Sequence, residues 1–230
     1  MKALDRVARR GFLRTASGAL GAVAVAKHGV GQGWAAESPP RRRDRAALDR
    51  LRADLDAQGR EFMAPPKPDQ QFLNLLVQAS RARNVLEVGT AYGFSAIWIA
   101  LGLEETDGGL TTIEIKPDRV ESAKKRVAEA GLSVRVTCLL GDAHQLVPTL
   151  AGPFDLVFLN ADKSGLADYF TKLYPTKLAP GGLLLAYGAI LLRDKMKDYL
   201  AAVSHHPDFE TVIVSATMDD GFAVSYRERG

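Results

Sequence analysis

The sequence predicts an α/β fold: a doubly wound, mostly parallel, seven-stranded sheet whose last strands turn back as an antiparallel hairpin. Three observations carry this. The chain has 230 residues with 47% hydrophobic content, enough for one domain with a substantial core. From residue 84 onward, short β-branched apolar runs alternate with helical patterns, the signature of parallel strands joined by crossover helices. Two strand-like runs near the C-terminus, 210–215 and 222–226, are instead separated by Asp219-Asp220-Gly221, a hairpin-like turn.

Taken in order, residues 1–35 look like a targeting segment. Six basic residues against Asp5 give this stretch a charge of +5, so the whole-chain value of +3 leaves the remainder at −2. The basic character belongs to the N-terminus, which argues against a nucleic-acid-binding surface on the domain. Arg9-Arg10-Gly11-Phe12-Leu13 precedes a weakly apolar run and resembles a bacterial twin-arginine export signal, with small-residue cleavage positions after Ala35 or Ala26. The expected location is therefore outside the cytoplasm, in the periplasm, without stable membrane anchoring after processing. The apolar run is shorter than the ~20 residues that span a bilayer. Residues 36–68 read as a linker and an N-terminal helix. That helix covers residues 44–58, with Ala47, Leu48, Leu51 and Leu55 at helical spacing and Gly59 placed to end it.

The main domain is expected over residues 69–230. After the prolines at 65, 66 and 68, Asp69 is a candidate N-cap for a helix with Phe72, Leu73, Leu75, Leu76 and Val77 on its apolar face. Residues 85–88 form a buried strand, Gly89 and Gly93 close a tight turn, and residues 95–101 continue as a helix. Further strands are expected at 110–115, 134–140, 154–159 and 183–187, the last following a turn at Pro180-Gly181-Gly182. The intervening helices are expected at 117–131, 142–150, 166–178 and 193–204. The single cysteine, Cys138, falls in a strand and cannot form an intrachain disulfide.

Chemistry collects at the carboxyl ends of the strands, where open parallel sheets bind ligands. The first end supplies Glu87, Gly89, Thr90, Gly93 and Ser95, with the N–H groups of a helix start facing the ligand. Glu114 follows Gly89 by 25 residues, the spacing of an acid that accepts hydrogen bonds from ribose hydroxyls. Asp142, with Ala143, ends the third strand and suits an adenine amino group. The glycine spacing is E-x-G-x-x-x-G and lacks the middle glycine that admits a pyrophosphate. An adenosyl ligand without pyrophosphate fits better than a dinucleotide. His144 reads first as a capping or solvated residue, Trp98 as core, and the basic residues of 116–126 as a solvated helix face. The four histidines show no metal-ligand spacing.

With these residues in register, the chain resembles the S-adenosylmethionine-dependent O-methyltransferases of the catechol and caffeoyl-CoA type. The resemblance runs from residue 71 to the C-terminus. Its marks are residues 71–76, the 87–95 stretch, Glu114 with Pro117-Asp118, Gly141-Asp142-Ala143, residues 154–158, Ala161-Asp162-Lys163, residues 178–182 and Asp220-Gly221. It implies a Rossmann-like methyltransferase fold and S-adenosylmethionine as cofactor. Glu87, Gly89, Thr90 and Ser95 would then lie on the methionine and ribose side, Glu114 at the ribose, and Asp142 and Ala143 at the adenine. Lys163 would be the base for a small-molecule hydroxyl acceptor. Family members often form homodimers. The chain departs from the family at Asn160, where an aspartate is usual, and at Tyr187-Gly188, where an Asp-Asn pair is usual. Those positions hold the family's divalent cation, and one neutral amide, one phenol and one glycine do not supply hard anionic donors for Mg²⁺. The expectation is a methyltransferase without that metal site. The alternative is a non-catalytic binder of an adenosyl ligand on the same scaffold.

Overall fold

Seven strands form one sheet in the order β3-β2-β1-β4-β5-β7-β6. The computed structural model describes residues 43–62, 64–215 and 220–230, all within the unit Pro39–Gly230. The export-signal reading of residues 1–35, with its cleavage positions, lies outside the described residues, as does Asp219 of the expected hairpin turn.

The strands are β1 (Asn84–Val88), β2 (Gly109–Glu114), β3 (Val136–Leu140), β4 (Phe154–Leu159), β5 (Leu178–Tyr187), β6 (Phe209–Val214) and β7 (Phe222–Arg227). The first five pair in parallel, and β7 is inserted antiparallel between β5 and β6. The order reverses between β1 and β4, so their carboxyl ends flank the crevice in which such sheets bind ligands. The helices are α1 (Arg45–Glu61), α2 (Lys67–Ser80), α3 (Phe94–Thr106), α4 (Pro117–Glu129), α5 (Ala143–Leu146), α6 (Leu166–Leu173) and α7 (Lys197–Ser204). Two apolar clusters cover the sheet. One, centred on α3 with Trp98, Ile97 and Ile99, packs with α2; the other collects Leu86, Val157, Tyr169 and Tyr199 under α6 and α7. Helix α3 is buried along Phe94–Leu103, which is why its apolar residues fill every face instead of one stripe.

Several sequence expectations need correction. Gly59 does not end α1, which runs to Glu61; a Cβ at Gly59 would press on Ala64 at 3.3 Å, so the glycine serves packing. Asp69 is not an N-cap: Pro66 holds that position, and Asp69 sits buried in the first turn. Helix α6 stops at Leu173, not 178, because Pro175 excludes helical backbone at Tyr174, which is extended. Pro180-Gly181-Gly182 is not a turn before β5 but lies inside it, beside a register shift against β4. The third strand starts at Val136 instead of 134, after a turn closed by Arg135 N–H donating to Leu132 O. The last predicted helix divides into a 3₁₀ turn, Arg193–Met196, and α7. The basic face of α4 is not wholly solvated: the Arg126 guanidinium lies 4.4 Å from the Phe62 ring centroid and Arg119 lies 5.4 Å from that of Tyr92.

The α2–α3 contact depends on Gly102, where a Cβ would stand 2.9 Å from Val77 Cβ and 3.0 Å from Asn74 O. Val77 is branched and the carbonyl belongs to helical backbone, so neither yields cheaply. Gly102→Ala should therefore destabilise the chain by about 1–3 kcal/mol of overpacking, outweighing the ~1 kcal/mol of helix propensity gained, as a lowered urea midpoint would show.

Candidate functional site

At the carboxyl ends of β1, β2, β3 and β4 lies a cavity of about 500 Å³. Its wall includes Gly89, Ala91, Glu114, Asp142, Ala143 and Asn160, so the sequence-predicted groups from four successive strand ends do converge. Thr90, Gly93, Ser95 and Glu87 form the layer behind that wall.

The turn itself is built from left-handed backbone. Gly89 has φ +99°, Ala91 +46° and Gly93 +87°, and Gly93 directly precedes α3. Ala91 is held in this sparsely populated region by Glu114, whose Oε2 accepts its N–H at 2.9 Å. The other Glu114 oxygen accepts the N–H of Lys116 at 3.0 Å. Glu114 is thus a brace for the turn as well as a cavity wall. Gly89 is required sterically: a Cβ there would stand 2.5 Å from the Asn160 carbonyl oxygen. Asp142 caps α5, its Oδ1 accepting the His144 N–H at 2.9 Å.

Glu87 is fully buried. Its Oε2 accepts the Thr112 hydroxyl at 2.6 Å, which leaves Thr90 to donate to the Thr112 oxygen at 2.5 Å. Its Oε1 makes no hydrogen bond. Burial pushes the Glu87 carboxyl up to about 7, against the pull of Ser95 and Thr112. Glu87 lies behind the cavity wall, where an unpaired oxygen disfavours the charged form.

At the Asn160 side of the cavity lies a second polar group. Asn160 accepts the Lys163 ammonium at 3.1 Å through Oδ1, and its own N–H donates to Val88 O. Burial draws the Lys163 amine down to about 8, while Asp220 and Asp162 act to raise it. Lys163 is half-buried, with Asn160 as the acceptor of its hydrogen bond. The Tyr187 hydroxyl shares its proton between carboxylate oxygens of Asp69 and Asp220, each 2.8 Å away. Burial and those carboxylates raise its pKa, keeping it a phenol. Among the described residues no group of three or more His, Cys, Asp or Glu side chains is placed to hold a metal ion.

Two features were not legible in the sequence. Asp69 reaches Tyr187 across 118 residues, and no local pattern announces that contact. His144 is more than a cap. It lines the cavity, stacks on Tyr169 at 4.1 Å, and places its two ring nitrogens toward Asp168 (2.5 Å) and Asp162 (3.4 Å). These carboxylates raise its pKa against the opposing effect of burial.

Comparison with known proteins gives one consistent result. The family described as O-methyltransferase matches residues 40–216. The chain is 34% identical over 198 residues to a catechol O-methyltransferase of Mycobacterium tuberculosis, covering 79% of this chain and 89% of that protein. It is 37% identical over 136 residues to a catechol O-methyltransferase of Niastella koreensis, covering 57% and 60%. Among solved structures, cofactor-bound Rv0187 from MTB superposes with a TM-score of 0.68 at 30% identity, covering 81% of this chain and 92% of that one. The O-methyltransferase TomG of Streptomyces achromogenes, in complex with SAM, gives 0.67 at 28% identity, covering 77% and 89%.

Glu87 provides a direct test of this electrostatic layout. A carboxyl raised in the fold from about 4.5 to about 7 binds more protons folded than unfolded. Its contribution to stability is therefore full below about 4.5 and lost as pH rises through about 7. Urea midpoints of the ligand-free chain should fall over that window relative to Glu87→Gln, and parallel curves for the two would refute the assignment.

Proposed function

The chain belongs to the O-methyltransferase family, and from that premise we propose that it methylates a small-molecule hydroxyl group without a divalent cation. S-adenosylmethionine is the cofactor, and the chain is a methyltransferase enzyme. The finer reading is carried by one observation: the positions facing the acceptor hold Lys163 on Asn160 and a phenol between two carboxylates, in place of hard anionic donors.

The chain's own residues fit the cofactor. The methionine moiety is placed over Gly89, with Glu87, Thr90, Gly93 and Ser95 in the layer behind it. Glu114 retains lone pairs for ribose hydroxyls beyond its two backbone contacts. Asp142 and Ala143 stand where an adenine edge would lie. The residues do not fit Mg²⁺. The Asn160 carbonyl oxygen already accepts an ammonium proton, Tyr187 is a protonated phenol with its proton committed, and Gly188 has no side chain.

When bound, the cofactor supplies an electrophilic methyl group on a sulfonium sulfur, and its transfer to oxygen breaks the carbon–sulfur bond with the electron pair left on sulfur. Lys163, in its neutral form, takes the proton of the acceptor hydroxyl as the oxygen becomes the nucleophile. Positioning over the turn supplies much of the rate. With the amine near 8, kcat/KM should rise as pH increases through about 8, because the neutral fraction grows. Lys163→Met should lower kcat by about 10²–10⁴-fold while leaving the affinity for S-adenosylhomocysteine, measured by calorimetry, nearly unchanged. Binding without transfer to any hydroxyl would instead favour a non-catalytic adenosyl-binding role.

Residues 1–35 are proposed as a twin-arginine-like export signal, a route that carries folded proteins and so permits a bound cofactor to travel. Replacing Arg9 and Arg10 by lysine should shift the chain from periplasmic to cytoplasmic fractions; unchanged fractionation would refute the export reading.

A further inference from the structure

The acceptor side of the crevice is built around a single proton acceptor. Lys163 Nζ makes one hydrogen bond among the described residues, to Asn160 Oδ1 at 3.1 Å. The Asn160 backbone is packed tightly, since its carbonyl lies against Gly89 too closely to allow a Cβ there, and its side chain accepts from the lysine. The lysine is thereby anchored one hydrogen bond from the cofactor turn. The charges around it are Asp162 on its own segment, Asp220 from the loop before β7, and the exposed Arg193, Asp194 and Lys195 on the 3₁₀ turn that packs against that segment.

The other polar groups nearby are committed to one another. The Tyr187 proton is held by Asp69 and Asp220, and neighbouring Gly188 offers no side chain. Gly188 also marks where an apolar wall meets the amine: a Cβ there would lie 3.3 Å from Leu192 Cδ1 and 3.4 Å from Lys163 Cε. The same segment presents Ile190 and Leu191, 42% and 62% exposed, with the Ile190 N–H donating to Asp220 O at 2.8 Å. Large apolar side chains left in water next to a half-buried amine suit an apolar ring carrying one polar atom.

A metal cation can hold two neighbouring oxygens at once, because it offers several coordination positions. A neutral amine has one lone pair and addresses one O–H. Resting on the methyltransferase reading above, we propose that this site takes acceptors with a single phenolic hydroxyl, held at Lys163 with the ring against Ile190–Leu192, and does not require a vicinal diol. The hydroxyl proton passes to Nζ, and the resulting ammonium remains paired with the one oxygen that is methylated.

The test is a panel of catechol, 2-methoxyphenol and 4-methylphenol with the full chain and S-adenosylmethionine, each in EDTA and in Mg²⁺. The two monophenols should show kcat/KM within about tenfold of catechol, with EDTA without effect. Leu191→Asp, on an exposed position, should raise KM for the monophenols by about tenfold and leave S-adenosylhomocysteine binding unchanged. Transfer confined to catechol, or transfer that needs Mg²⁺, would overturn the inference while leaving the methyltransferase reading in place. Failure to bind S-adenosylhomocysteine, or binding with no transfer to any of the three, would remove the reading on which it rests.

Discussion

The contact between Gly89 and the Asn160 backbone is the constraint on which both halves of the site depend. Strands β1 and β4 are hydrogen-bonded neighbours, but the sheet reverses direction of growth between them, so their chains diverge into different loops beyond Val88 and Leu159. Only a residue without a Cβ lets the first loop cross so close to the second. That proximity makes the cofactor turn and the Lys163 segment a single rigid object. The Asn160 side chain in turn accepts from Lys163, so the residue whose backbone meets Gly89 also contacts the proposed base.

The two acidic residues beneath the cofactor do different work, and their surroundings explain why. Glu114 is satisfied by two backbone N–H groups, one of which belongs to Ala91 in left-handed conformation. A carboxylate that accepts backbone donors stabilises the strained turn before any ligand arrives. Glu87 is buried with one oxygen unpaired, which is unfavourable for its charged form until a donor or cation enters. Glu114 holds the turn in place; Glu87, behind the cavity wall, carries an unpaired oxygen.

The fold was readable because its signals are local. β-branched runs, glycine turns and helical spacing give seven strands and the alternation that implies a parallel sheet, and β4 is found where expected, at Phe154–Leu159. Two of the misreadings involve packing or a partner that local spacing does not show. Gly59 looks like a stop signal, but it packs on Ala64 and Phe94 within a continuing helix. Asp69 looks like a cap, but Tyr187 gives it a buried partner 118 residues away. On the site, residues strung along strand ends were legible, since strand-end position follows from strand assignment. The His144–Asp168–Asp162–Tyr169 group was not, because it assembles from two elements whose mutual orientation leaves no trace in spacing.

Under the proposed metal-free reading, substituting the anionic donors changes more than metal affinity, because a cation in such a place would have a structural task as well as a chemical one. It would tie the end of β4 to the end of β5. Here hydrogen bonds hold each strand end to other parts of the chain. Tyr187 joins the end of β5 to α2 through Asp69 and to the loop before β7 through Asp220, and Lys163 joins Asn160 from the adjoining segment. The structural task is therefore shared among at least five side chains. The chemical task cannot be shared in the same way: a phenol whose proton is committed to carboxylates polarises nothing, and an amide carbonyl attracts protons without releasing them. What remains is one amine, lowered by burial and held back from further lowering by two carboxylates. That balance matters, since an amine buried without Asp220 and Asp162 would lose the cationic form that must remain paired with the reacting oxygen, and one fully solvated would rarely be neutral. Asp220, which accepts from Tyr187, thus also acts on Lys163, raising its amine against the effect of burial.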